Sequence, residues 1–186
     1  GMICHDFKGG IGTSSRLVES KSGTYTVGAL VQSNYGDRSH LRVRGYPVGQ
    51  EFPHDVVPIP RDKTNLSSII VVVATDAPLL PFQCKRLAQR ATVGLARVGG
   101  VGHNGSGDIF LAFATGNHLP AKSSEPIPVA QVPNHHMDPF FEATAEAVEE
   151  AILNALAMAE TMVGFQGRTV HAIPLDALAQ IAQRSW

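Results

Sequence analysis

Cysteine is nearly absent: Cys4 and Cys84 are the two thiols in 186 residues, too few and too far apart for a disulfide framework or a zinc knuckle. Both read as ordinary buried thiols. Excess charge of either sign is missing as well. Fifteen Lys and Arg stand against sixteen Asp and Glu for a net charge of -1, and no basic run exceeds a pair. A phosphate backbone or an anionic bilayer needs a basic patch, so neither nucleic acid nor membrane is expected as a partner. Long apolar runs are lacking too. No unbroken stretch exceeds the length of Ile69 to Ala74, which is far too short to span a bilayer, and the N-terminus has no basic-then-apolar signal pattern. A cytoplasmic protein is expected.

What is present is an ordinary globular composition, 44% hydrophobic and 17% charged. At this length it supports one domain, residues 1–186, with a sizeable core. Eight histidines raise the question of a metal. The adjacent pair His135-His136 lacks the helical i, i+4 spacing of a metalloprotease site and reads as a loop. No metal and no cofactor are expected.

The chain divides into a strand-rich first part and a helix-rich second part. "MICHDF" is short and apolar, "FKGGIGTSSR" reads as a glycine turn, and "GTYTVGALVQSN" alternates with β-branched residues, so antiparallel hairpin strands are predicted. Residues 37–67 carry prolines and charges and predict a long surface excursion before the buried strand "SIIVVVATD". Leu87, Ala91 and Leu95 predict an amphipathic helix over 80–98, ended by Gly99-Gly100. Asp138-Pro139 predicts an N-cap and first position for a helix running to about Val163. Its inward stripe is Phe141, Ala145, Val148, Ile152, Ala155 and Ala159, with Glu142, Glu146 and Glu150 outside. A strand in "RTVHAIP" and a short helix over 175–184 follow.

The segment "VGHNGSGDIFLAF" supports two readings. In the plain one, Asn104-Gly105 is a hairpin turn, because both residues tolerate positive φ. In the other, Gly105–Ser106 is a self-cleaving bond. The Ser106 hydroxyl attacks the Gly105 carbonyl, the acyl group shifts from nitrogen to oxygen, and hydrolysis leaves an N-terminal serine. The freed α-amine, with an unperturbed pKa of roughly 7.7 to 8.0, then serves as the base for its own hydroxyl.

The blocks "FKGGIGTSSR", "YTVGALVQSNYG", "VVVATDAPLLPFQCKRLAQRA", "GLARVGGVGHNGSGDIFLAF" and "FFEATAEAVEEAILNAL" resemble, in order and over nearly the whole chain, the DmpA family of L-aminopeptidase/D-esterases and β-peptidyl aminopeptidases. The resemblance implies cleavage before the serine of "NGSGD", giving fragments 1–105 and 106–186 with Ser106 as nucleophile. It implies an α/β (α+β) fold, a four-layer αββα sandwich of the type shared with ornithine acetyltransferase. It implies a hydrolase acting on N-terminal residues of short peptides, amides or esters, and an oligomer. Family precursors carry a long stretch ahead of the first block, so this chain is expected to lack strands and pocket residues. A homo-oligomer, or a separate chain supplying that stretch, is the expected partner.

Two further residues are candidates on chemical grounds. An oxyanion needs aimed donors, and Asn34, after the strand "YTVGALVQS", could supply one; it could equally start the "SNYGD" turn. Glu149, beside the apolar stripe, could orient a substrate ammonium or simply flank the helix with its head in water. The competing functions are an acyltransferase of the ornithine-acetyltransferase type, which uses threonine where this chain has Ser106, and an inactive truncated homologue.

Overall fold

The computed structural model describes residues 1–59 and 67–185. The chain opens with a minimal hairpin of β1 (Ile3–Cys4) and β2 (Phe7–Lys8). Its two turn residues, His5 and Asp6, both lie in the left-handed region, at φ 48° and 62°. Such turns match the twist of the flanking strands but are usually made by Asn or Gly. Burial explains the exception. The His5 ring is fully buried, its Nδ1–H donates to the Asp37 carbonyl at 2.9 Å, and it meets Tyr35 edge-on at 4.9 Å.

Desolvation lowers the His5 pKa to about 4, against the favourable pull of the Asp37 carbonyl and Asp6. A depressed histidine destabilises the fold in acid, because the unfolded chain takes up a proton that the native state refuses. The stability is complete above the unfolded value of 6.5 and is lost as pH falls from there toward 4. The full loss is about 3 kcal/mol at about 1.4 kcal/mol per unit. Urea midpoints measured across this window should fall, and His5→Gln should remove one proton from the slope. An unchanged slope in His5→Gln would show that another group carries it.

The main sheet contains β3 (Ile11–Ser20), β4 (Gly23–Asn34), β5 (Ser68–Thr75) and β6 (Ile109–Ala114), in the order β3-β4-β5-β6. Strands β3 and β4 form an antiparallel hairpin closed at Ser20↔Gly23, and β5 joins antiparallel; "MICHDF", the predicted hairpin partner of β4, falls instead in the small hairpin of β1 and β2. The glycine-rich segment read as a turn is instead the start of β3. Gly12 is there for close approach: a Cβ would come within 1.9 Å of the Ala151 carbonyl oxygen on the covering helix. The hairpin reading of Asn104-Gly105 is also overturned. Strand β6 pairs parallel to β5, reached through helix α1 (Pro81–Arg97), and a parallel pair requires such a crossover.

Helix α1 starts with Pro81 at its first turn, and the Gln83 side chain accepts the Leu80 N–H at 3.1 Å. Leu87, Ala91 and Leu95 are buried as their spacing predicts. Helix α2 (Asp138–Ala157) is capped by Met137, so Asp138 lies inside the first turn rather than at the cap. It ends before Val163, which instead belongs to the short hairpin of β7 (Met162–Val163) and β8 (Thr169–Val170). The strand predicted in "RTVHAIP" shrinks to those last two residues. Helix α3 (Leu175–Ser185) follows.

Of the predicted stripe, Phe141 is half-buried and Ala159 lies beyond the helix end, whereas the buried face of α2 keeps Ala145, Val148, Ile152 and Ala155 and adds Phe140, Ala143, Thr144, Ala147, Ala151 and Leu156. The reason is that α2 packs on both the sheet and α1. Gly94 permits the second contact, since a Cβ there would lie 2.5 Å from the Ala145 carbonyl oxygen. Phe141 faces α1 beneath the guanidinium groups of Arg86 and Arg90, at 4.7 and 4.2 Å. Glu146 and Glu150 both accept from Arg16 on β3.

Residues 37–59 are not a surface excursion. Arg38, Leu41, Val48, Phe52 and Val57 are buried. The Arg38 guanidinium donates to the carbonyls of Asp6, at 2.9 Å, and Val57, and stacks over Phe7 at 4.3 Å. Residues 60–66 of the predicted excursion lie outside the described residues.

One face of the sheet is thus covered by α1 and α2, with Val27, Ala29, Val31, Ile69, Val71 and Val73 buried against them. The other face is open and apolar. Leu30, Ile70, Ile109, Leu111 and Phe113 expose 41%, 39%, 57%, 55% and 46% of their surface. Strands apolar on both faces are characteristic of sheets covered on both sides.

Candidate active site

Ser106 lies at the open end of the sheet, in the connection from α1 to β6. Helix α1 ends in a left-handed Gly99 (φ 102°) whose missing Cβ leaves room for the His40 carbonyl oxygen, 1.9 Å from where that Cβ would be. The following residues, Val101 to Gly105, are exposed. The Ser106 N–H donates to the His103 carbonyl at 2.8 Å and closes a tight turn over Asn104-Gly105.

From there the chain is held to the start of β5. Ser106 bridges Ser67 in parallel register. The Gly107 N–H donates to Ser68 Oγ at 3.1 Å, and Asp108 Oδ1 accepts the Ile69 N–H at 3.1 Å. The Gly105–Ser106 bond therefore joins a solvated loop to a half-buried, anchored serine.

Ser106 shares a narrow cleft with Tyr35, Leu95, Gly100, His103 and Asp108. Tyr35 is the residue that the sequence did not reveal, because it reads there as part of the "SNYGD" turn. It is 5% exposed, and its hydroxyl has no hydrogen-bond partner among the described residues. A buried unpaired hydroxyl costs about 1–3 kcal/mol. Burial, reinforced by Cys4 and Asp108, raises its pKa well above the usual phenol value, so it stays a neutral O–H donor.

Asn34 ends β4 opposite Ser68, the residue that Gly107 contacts, and so lies at the same sheet end as Ser106. Its Oδ1 accepts the Ile3 N–H at 3.0 Å; any role on an oxyanion falls to the Nδ2 donors. Glu149 sits on the α1–α2 seam, where its Oε2 accepts from Arg97 Nη1 at 3.2 Å, and it is not among the residues lining the cleft. Cys4 and Cys84 are buried free thiols; desolvation pushes the Cys4 pKa up to about 12, which keeps it protonated and inert. His135 and His136 form a short 3-10 turn ahead of α2. Among the described residues, no helix is long and apolar enough to cross a membrane.

The fold of this chain is shared with solved structures. A β-aminopeptidase from Burkholderia sp. is 53% identical with a TM-score of 0.90, covering 100% of this chain and 52% of that one. The L-aminopeptidase D-Ala-esterase/amidase of Ochrobactrum anthropi is 42% identical with a TM-score of 0.84, covering 98% and 50%. The latter is described as a prototype of the serine aminopeptidases and a new variant of the Ntn hydrolase fold. The fold is therefore the mixed α/β fold of Ntn-hydrolase-type aminopeptidases, and the described residues build one helix layer and one sheet layer of it.

Among curated proteins, the β-peptidyl aminopeptidase BapA of Sphingosinicella microcystinivorans is 45% identical over 99% of this chain and 50% of its own length. Its namesake in Sphingosinicella xenopeptidilytica is 40% identical over 97% and 48%. The chain spans about half the length of these relatives. The model of peptidase family S58 matches residues 1–170. The chain belongs to peptidase family S58.

Proposed function

We propose that this chain carries the nucleophile of a self-processing aminopeptidase or amidase that releases N-terminal residues from short peptides, amides or esters. The observation that supports it most is the placement of Gly105–Ser106, with an exposed acyl side at Gly105 and an anchored, half-buried Ser106 that supplies both the attacking hydroxyl and the leaving amine. In processing, Ser106 Oγ adds to the Gly105 carbonyl carbon, the C–N bond breaks, and the acyl group becomes an ester on Oγ. Water then hydrolyses that ester, leaving a Gly105 carboxylate and a free Ser106 α-amine.

In turnover, the neutral α-amine takes the proton from Oγ–H as Oγ attacks the substrate carbonyl. The resulting oxyanion needs preorganised donors, and the Tyr35 O–H and the Asn34 amide are the candidates at this sheet end. The α-ammonium then protonates the leaving amine, and water releases the acyl group. BapA is named for β-peptidyl substrates and the Ochrobactrum enzyme for L-aminopeptidase and D-Ala-esterase/amidase activity. The Ser106 site, completed by the rest of the relatives' length, is proposed to accept this substrate class here.

The test is hydrolysis of an aminoacyl p-nitroanilide, with the chain combined with a polypeptide corresponding to the rest of its relatives' length. The rate should rise with pH along a limb near the amine's pKa of about 8 and should not fall on adding chelator. Tyr35→Phe should keep that limb while lowering kcat about 10- to 100-fold. Loss of activity with chelator and recovery with zinc would overturn the serine mechanism.

A further inference from the structure

We propose that Asp37, His40 and His103 form a binding site for a divalent transition-metal ion of the zinc class, and that the bound ion clamps the loop ahead of Ser106. Each residue offers one ligand atom, and the three atoms lie within 4.8 Å of one another. Neither position nor spacing in the sequence links them, since His103 comes from a different connection from the other two.

Two of the ligands stand on a firm base. Asp37 and His40 flank the turn centred on buried Arg38, with the His40 N–H donating to the Asp37 carbonyl at 3.1 Å. The Arg38 N–H donates to Asp6 Oδ2 at 3.0 Å. Gly99 abuts the His40 carbonyl from the other side. The third ligand, His103, is exposed on the loop. The imidazole rings are 5.4 Å apart with an interplanar angle of 36°. The Nδ1 of His40 is buried with no hydrogen-bond partner among the described residues, so the His40 ring carries a polar demand that those residues do not meet.

The donor set selects the ion. Two imidazole nitrogens and one carboxylate oxygen suit zinc, cobalt or nickel, whereas calcium and magnesium prefer all-oxygen shells. Bonds of about 2.1 Å in a tetrahedron place ligand atoms about 3.4 Å apart. The cluster must therefore close by about an ångström, which rotation of the exposed His103 can supply, with water in the fourth position.

The consequence follows from one hydrogen bond. His103 supplies the carbonyl that accepts the Ser106 N–H, so an ion holding its ring also holds the turn over Asn104-Gly105. Before processing this restrains the scissile bond. Afterwards it keeps the chain end at Gly105 over the cleft. The ion is thus an inhibitor of the serine chemistry and takes no part in it. The clamp rests on the function proposed above; binding itself does not.

Titration of the purified chain with Co²⁺, followed by ligand-field absorption, and with Zn²⁺, followed by calorimetry, tests the site. Saturation at about one ion per chain is expected, with His40→Ala and His103→Ala each weakening binding at least about tenfold. His103 is exposed, so His103→Ala should leave the circular dichroism spectrum unchanged. Replacing both His135 and His136 with Ala should leave binding intact. No saturable binding, or binding indifferent to His103→Ala, would overturn the site. In the active protein, Zn²⁺ should slow hydrolysis, chelator should restore it, and His103→Ala should make the rate insensitive to Zn²⁺. Binding without any effect on rate would overturn the clamp and leave the site standing. A chain that binds the ion but is never cut would instead count against the proposed function.

Discussion

Intact-mass analysis of the protein after folding will show two polypeptides, residues 1–105 and 106–186, and Ser106→Ala will show a single uncut chain. The hydroxyl is the only group that the proposed acyl shift consumes, so its removal stops processing outright rather than slowing it. Peptidase activity should fall with it by about a thousandfold or more, because nucleophile and base reside on the same residue and are lost together. Ser106→Ala leaves the turn bond from the Ser106 N–H to the His103 carbonyl and the anchoring of Gly107 and Asp108 in place, so the fold should persist. The measurement is made on this chain alone and together with the complementary half of its relatives' length. A wild-type chain uncut in both settings, or a cut Ser106→Ala chain, would sink the proposed mechanism.

Sedimentation of the chain alone will show a dimer or a larger species, and Leu30→Lys with Leu111→Lys will shift it to monomer. The two leucines lie in one cross-strand row with Val72, on the sheet face opposite the helices. Contiguous apolar surface of this kind associates in water. Burying each leucine is worth about 1.5–3 kcal/mol, so the double substitution should weaken association by a hundredfold or more. Circular dichroism should be unchanged, because neither side chain contributes to the buried core. The proposed occupant in the active protein is the second sheet of the four-layer sandwich, from the part of the relatives' length that this chain does not span. Adding that polypeptide should replace self-association with a defined complex and restore activity. A chain monomeric at tens of micromolar with low dye-reported apolar exposure would mean that its face is closed without a partner.

Much of the architecture was legible in the sequence. Strand β4, the buried strand β5 and helices α1, α2 and α3 all follow from periodicity and end signals, which are local. The glycine-bracketed Ser106 stood out for the same reason, and the block resemblance gave it a chemical meaning. The misreadings share one cause. Asn104-Gly105 has the composition of a hairpin turn, but β6 finds its partner in β5, some forty residues earlier, and pairing of that range leaves no local trace. The glycines before Ser14 look like a turn until α2 comes to rest on Gly12. Residues 37–59 look solvated because their charges and prolines are visible, whereas the carbonyls that receive the Arg38 guanidinium are not.

By itself, then, the sequence determined strands β4 and β5 and helices α1, α2 and α3, that both faces of β5 are apolar, and that a glycine-bracketed serine stands before an apolar strand. Those properties are set by each residue's own side chain and its near neighbours. Only the tertiary structure decided that the buried Tyr35 shares a cleft with Ser106, that Glu149 is engaged by Arg97, and that His103 meets Asp37 and His40. Those juxtapositions arise from the packing of α1 and α2 on the sheet, where the gain from burying apolar surface outweighs the cost of bringing distant polar groups together.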